Sequence, residues 1–126
     1  MKIIHTDRAP PAIGPYSQAV ISEGILYTSG QIALNPATGE MVGGNAREQI
    51  IQCLKNLTEI LMAAGTDKNA VLKTTLFLTS MDDFVSVNEI YAAWLGQHRP
   101  ARSTVAVSAL PRGALVEIEC MAKITG

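Results

Sequence analysis

Arg102 and Glu117 fall in two strand-like runs near the end of this sequence, residues 102–107 and 115–123. Together they suit the handling of a small carboxylic acid. A guanidinium is a planar fork that grips a carboxylate through paired hydrogen bonds. A glutamate can hold or activate a water, the more so where partial burial raises its pKa. Backbone N–H groups beside Gly30, in Thr28-Ser29-Gly30-Gln31, could meet a polarised atom. Other chemistries lack their parts. His5 and His98 are isolated and have no metal-pair spacing, so no metal is expected. His98, in Gln97-His98-Arg99-Pro100, reads as a solvent-facing loop residue. The glycines at 39, 43 and 44 match neither a dinucleotide fingerprint nor a P-loop, and no Gly-x-Ser-x-Gly elbow is present. Cys53 and Cys120 lie in apolar periodic stretches without a Cys-x-x-Cys spacing, and read as buried, reduced thiols.

The elements that must position these residues follow from hydrophobic period. Strand-like runs at 17–22 and 25–31 flank Glu23-Gly24 and predict a hairpin. Ile50, Leu54, Leu57, Leu61 and Ala64 recur at steps of four and three, the stripe of an amphipathic helix. Asn45 with Glu48 resembles a capping box, and Gly65 is placed to end that helix. Residues 71–79 predict a strand with Leu72, Thr74, Leu76 and Leu78 on one side. Asp82 and Asp83 favour a second helix start, and Phe84, Val87, Tyr91 and Leu95 supply its buried stripe. With a short strand at residues 2–5, the order is β-β-β-α-β-α-β-β. This predicts an α+β fold, a mixed six-stranded sheet with two helices packed on one face, in one domain spanning 1–126.

Period 2 divides the last two strands into faces. Val116, Ile118, Cys120 and Ala122 form one apolar face, with Glu117, Glu119 and Met121 opposite; Val105 and Val107 share a face, with Arg102, Thr104 and Ala106 on the other. If the apolar faces meet the helices, Arg102 and Glu117 both project from the helix-free side. That surface would also carry Phe77, Thr75, Leu115 and Met121, more apolar than a fully solvated face. It is then either a wet face with scattered charges or a surface covered by another subunit. Composition leans to the second. Of 126 residues, 48% are hydrophobic and 17% charged, against roughly 25% charged in an ordinary soluble domain, and subunit interfaces are depleted in charge at their centres. Ten Lys and Arg oppose eleven Asp and Glu, with a pI near 6.1 and no basic run, so no nucleic-acid partner is expected. The N-terminus lacks the apolar core of a signal peptide and no segment reaches membrane-spanning length, so a cytoplasmic location is expected.

Several segments carry a resemblance. Ile13-Gly14-Pro15-Tyr16-Ser17-Gln18-Ala19, Thr28-Ser29-Gly30-Gln31 and Asn35-Pro36-Ala37-Thr38-Gly39-Glu40 are followed by Val71-Leu72-Lys73-Thr74-Thr75 and Asp83-Phe84 with Val87-Asn88. Pro100-Ala101-Arg102-Ser103-Thr104-Val105 and Leu110-Pro111-Arg112-Gly113-Ala114-Leu115-Val116-Glu117-Ile118-Glu119 complete the set. In order, and over essentially the whole chain, these resemble the RidA (YjgF-type) family of imine deaminases. The resemblance implies a chorismate-mutase-like fold assembled as a homotrimer, with active sites in the clefts between subunits. It implies hydrolysis of 2-imino acids released by pyridoxal-phosphate dehydratases, such as 2-iminobutanoate and 2-iminopropanoate, to 2-keto acids and ammonia, with neither metal nor organic cofactor. Carried over by position, Arg102 would bind the substrate carboxylate and Glu117 would position the attacking water. Backbone groups at Gly30 and Thr104 would bind substrate or that water, and Tyr16, Ser29 and Asn88 would line the pocket.

Plainer roles stay open beside these. Tyr16 could cover the core edge, Gly30 could allow close strand packing, Asn88 could satisfy backbone groups, and Glu119 shares a face with Glu117. The chain departs from the family between Trp94-Leu95 and Pro100. There Gly-Gln-His-Arg is shorter than the usual connection, and Arg99 replaces an aromatic found in many members. Thr104 replaces a frequent cysteine. A keto- or amino-acid-binding regulator on the same fold is an alternative function. Ribonuclease or translation-inhibitor activity is disfavoured by the slightly acidic balance and the missing basic stripe.

Overall fold

The computed structural model describes residues 1–125. Three antiparallel strands open the chain: β1 (Lys2–Ile4), β2 (Ala19–Ser22) and β3 (Ile25–Thr28). Glu23 and Gly24 turn between β2 and β3 with φ of 51° and 78°, the pair of left-handed conformations that suits a two-residue hairpin. The hairpin is shorter than the apolar runs that predict it. Beyond Thr28 the chain leaves β2, and Gln31 exchanges both backbone hydrogen bonds with Ile118.

Helix α1 (Ala46–Ala63) starts where the cap predicts: the Asn45 side chain accepts the Glu48 N–H at 2.8 Å. The return bond reaches Gly44 N–H at 3.4 Å rather than Asn45, so the box closes one residue early. At the other end Thr66 N–H reaches Leu61 O and Gly65 N–H reaches Met62 O, with Gly65 at φ 81°, a Schellman ending. β4 (Val71–Leu78) follows. A 3₁₀ turn over Met81–Asp83, capped by Ser80 Oγ on the Asp82 N–H at 3.1 Å, then leads into α2 (Phe84–Leu95). β5 (Ala101–Ala106) and β6 (Val116–Lys123) end the chain.

The six strands lie in the order β1-β2-β3-β6-β4-β5, and only β4 and β5 are parallel, joined through α2. One face of the sheet is dry: Leu76, Leu78, Val116, Ile118, Cys120 and Ala122 are each at most 3% exposed. They form one core with Ile50, Leu54, Leu57 and Leu61 of α1 and Val87, Tyr91 and Leu95 of α2. Burying one such aliphatic side chain contributes about 1.5–3 kcal/mol. The expected α+β architecture is therefore present, with both helices on one face.

Two face assignments need correction. Leu72 is 47% exposed while Val71 is buried, because the β4–β6 register shifts between Val71 and Lys73 and the bulge turns Leu72 outward. The second concerns β5. Arg102, Thr104 and Ala106 stand beside Thr74, Leu76 and Leu78, so they lie on the helix side. Val105 stands beside Phe77 on the helix-free side and is 42% exposed. β5 is the edge strand, and its helix-side positions reach the rim of α2, where the polar residues lie. The rule that apolar positions face the helices fails there.

Candidate active site

Arg102 is exposed on β5, yet it is held. Its Nη1 donates to Asn88 Oδ1 of α2 at 2.5 Å. Its guanidinium carbon lies 5.6 Å from the Phe84 ring centre and 5.3 Å from that of Tyr91, within reach of cation–π attraction. Tyr91 is itself fixed, because its hydroxyl bonds buried Thr74 Oγ1 at 2.6 Å. Strand, helix and two rings thus orient one fork, and no carboxylate within the described residues neutralises it. A cleft of about 460 Å³ is lined by Asn88, Tyr91, Ala92, Leu95, Arg99, Pro100 and Arg102. Thr104 is one step along the same face of β5, and its buried hydroxyl oxygen has no hydrogen-bond partner among the described residues.

Glu117 stands beside Phe77 on the helix-free side, over Gly30. A Cβ on Gly30 would lie 1.7 Å from Glu117 Oε2, so only glycine leaves room for the carboxylate. Burial pushes the Glu117 pKa above the usual carboxylate range, and the nearby Glu119 charge adds to the rise. A carboxylate raised in this way is a better proton acceptor. Glu117 opens into a cavity of about 600 Å³ shared with Tyr16, Ser29, Gly30 and Arg112 and walled by Pro10, Pro11, Ile13, Ile32 and Leu34.

Loops build this second cavity, and three buried amides pin them. Gln18 accepts the Thr6 N–H and donates to the carbonyls of Thr6, Ala9 and Pro10. Asn56 donates to Ile32 O and Leu34 O. Gln49 donates to Gly43 O and accepts the Leu115 N–H. Closer to the cavity, Ser29 Oγ donates to Ser17 O, and Tyr16, 54% exposed, accepts the Ile13 N–H at its hydroxyl. Arg112 has φ 57° and donates to Gly39 O at 2.9 Å. The sequence reading missed Gln18, Gln49, Asn56 and Arg112. For Gln49 and Asn56 a signal existed, since with Cys53 and Ile60 they step by four, three and four along one ridge of α1. His98 also differs from expectation: it is partly buried, and Nε2 lies 2.7 Å from Val71 O. Cys53 and Cys120 are free and buried; burial holds the Cys120 thiol up at about 12, so neither is poised as a nucleophile.

The expected residues therefore gather in two groups. Tyr16, Ser29, Gly30 and Glu117 share one cavity, Asn88 and Arg102 share another, and Thr104 adjoins the second. Arg102 and Glu117 project from opposite faces of one sheet, so a single chain does not bring them together.

The Endoribonuclease L-PSP family model matches residues 6–124. A mouse protein named 2-iminobutanoate/2-iminopropanoate deaminase is 53% identical over 121 residues, covering 96% of this chain and 90% of its own. Among solved structures, RidA from the Antarctic bacterium Psychrobacter is 42% identical with a TM-score of 0.94, over 98% of this chain and 100% of its own. E. coli TdcF with bound serine is 40% identical with a TM-score of 0.93, over 98% of both chains. Segments that read as RidA-like, a fold that superposes on RidA and a model spanning nearly every residue agree: the chain belongs to the Endoribonuclease L-PSP family, the RidA (YjgF-type) group.

Proposed function

We propose that this protein is a 2-imino acid deaminase whose active site is completed between copies of the chain, in a homotrimer. Arg102 grips the carboxylate of a small 2-imino acid such as 2-iminobutanoate or 2-iminopropanoate. Glu117 of a neighbouring copy takes a proton from a water as the water oxygen bonds to C2. The carbinolamine so formed takes that proton from Glu117 at its nitrogen; the C2–N bond then breaks as the hydroxyl gives its own proton to the Glu117 carboxylate and becomes the keto C=O. The products are a 2-keto acid and ammonia. Tyr16, Ser29, Asn88 and backbone groups at Gly30 and Thr104 line the composite site. Such imines hydrolyse unaided in water, so the protein need remove only a modest part of the barrier, about 1.4 kcal/mol for each tenfold.

The observation that carries this reading is the separation itself. A cation fork with no carboxylate partner among the described residues opens on one side of the sheet, and a carboxylate of raised pKa opens on the other. Surfaces that differ and complement each other make head-to-tail contacts, which close into rings. The helix-free face supplies apolar area for such contacts: Tyr27 is 44% and Val105 42% exposed, with Phe77 and Met121 half-buried beside them. The names of relatives above 45% identity, from mouse and human, give the substrate class. We place the enzyme, one domain in each chain, in the cytoplasm; no described helix is long and apolar enough to cross a membrane.

The test couples a purified threonine dehydratase to keto-acid formation in the presence of an imine trap. Added protein should accelerate keto-acid release, and Arg102→Ala should not. Unaltered kinetics with the wild-type protein, or full activity in Arg102→Ala, contradicts the reading.

A further inference from the structure

Arg102 is not the only cation in its cleft. Arg99 lines the same 460 Å³ space, and its Nη1 is held by Gly96 O at 2.6 Å and His98 O at 2.8 Å. That grip fixes the guanidinium at the C-terminal end of α2 and leaves its Nη2 and Nε without a hydrogen-bond partner among the described residues. Among the described residues neither arginine has an acidic group within ion-pair distance. The base of the loop is anchored as well, by His98 on Val71 O. Two guanidiniums, each held through Nη1 and with donors left over among the described residues, therefore share one cleft. Like charges in one cleft repel, and a ligand carrying one negative charge neutralises only one of the two. A ligand with two carboxylates satisfies both, through charge-assisted hydrogen bonds.

We infer that Arg99 is a specificity-determining residue, and that the site favours 2-imino acids whose side chain carries a second carboxylate, the four- or five-carbon imino dicarboxylates. Arg102 takes the carboxylate next to the imine, as in the reading above on which this inference rests, and Arg99 takes the distal one. Arg99 is exposed in the isolated chain, so the preference weakens as salt screens the second pair.

The experiment compares kcat/KM for 2-iminosuccinate, made in place from aspartate by an aspartate oxidase, with that for 2-iminobutanoate made from threonine. In the assembled wild-type protein the dicarboxylate is the better substrate. Arg99→Gln lowers the ratio by about tenfold, the worth of one charge-assisted contact, and Arg99→Lys restores most of it. Arg47→Gln, which removes an exposed pair with Glu89 on the outer helices, leaves the ratio unmoved. If wild type hydrolyses 2-iminobutanoate and Arg99→Gln does not change the ratio, the inference is overturned while the deaminase reading stands; a carboxylate from a neighbouring copy capping Arg99 would give this result. If neither imine is hydrolysed, the deaminase reading fails. Calorimetry then decides the inference: 2-oxoglutarate should bind more tightly than 2-oxobutanoate and lose that advantage in Arg99→Gln, and equal affinities would overturn it.

Discussion

The Arg102 cleft and the Glu117 cavity solve the same problem in opposite ways. Arg102 sits on a strand and is steadied by a few side chains of one helix: Asn88, Phe84 and Tyr91. Its surroundings are open and its guanidinium exposed. Glu117 also sits on a strand, but its cavity is walled by loops that buried amides tie to the core, and its carboxylate fills the space over Gly30. The first arrangement presents a charge; the second removes one from water and raises its pKa. Substitutions should therefore separate the two: in the cleft they cost function with little stability, whereas among the buried amides that tie down the cavity's loops they cost stability.

The largest effects fall on activity. Arg102→Ala and Glu117→Gln should each lower kcat/KM by about 10²–10³, the usual worth of a positioned acid–base or anchoring group, as read by the dehydratase-coupled assay. Neither should unfold the protein. Native Glu117 holds its proton more tightly than the unfolded chain does, so its ionisation penalises the fold as pH rises through the native pKa. Glu117→Gln should therefore raise Tm slightly at pH 7 and leave it unchanged near pH 3. A fall in Tm at pH 7 would mean that the carboxylate makes a stabilising contact.

Gly30→Ala should follow in size. The new Cβ would meet the Glu117 carboxylate at 1.7 Å, so the acid must move, and activity should drop by more than about tenfold through lost alignment. A Gly30→Ala variant with full activity would show that the position of Glu117 does not matter. The pH dependence should sharpen the contrast further. Activity should fall as pH drops through the raised pKa of Glu117, and Glu119→Gln, by removing the second cause of that rise, should move the acid limb to lower pH. An unmoved limb would assign it to another group.

Smaller effects fall on stability, and only on the loop-walled side. Gln18→Ala leaves several buried backbone groups without partners and should cost about 2–3 kcal/mol in denaturant unfolding. The same change at Asn88, which bonds the exposed Arg102, should cost well under that. Equal losses at the two positions would erase the distinction between the cleft and the cavity.

How far these features were legible in the sequence depended on the signal each left. Helix α1 was readable because its stripe, cap and terminating glycine all agree. The β2–β3 hairpin was readable from Glu23-Gly24 between two apolar runs. The orientation of β5 was not. Ala-Arg-Ser-Thr-Val-Ala is too short and mixed for period 2 to say which face is dry, and the parallel pairing Thr74↔Arg102 that decides it is a tertiary fact. Leu72 misled because a bulge leaves no mark on hydrophobicity. Buried amides such as Gln18 are invisible for a related reason, since a glutamine looks the same in sequence whether it faces water or four backbone groups. Arg102, Glu117 and Gly30 could be picked out from residue type and strand placement, but Tyr16, Ser29, Asn88 and Thr104 only by resemblance. The division of all of them between two faces came only with the fold.

That division admits a direct test. Arg102→Ala and Glu117→Gln chains, each inactive alone, are unfolded together, refolded as a mixture and assayed. If each site takes its guanidinium from one chain and its carboxylate from the next, random assembly leaves about a quarter of the sites intact, and activity returns to about that fraction of wild type. If the mixture stays as inactive as its components, both groups act within one chain and a site shared between copies is ruled out.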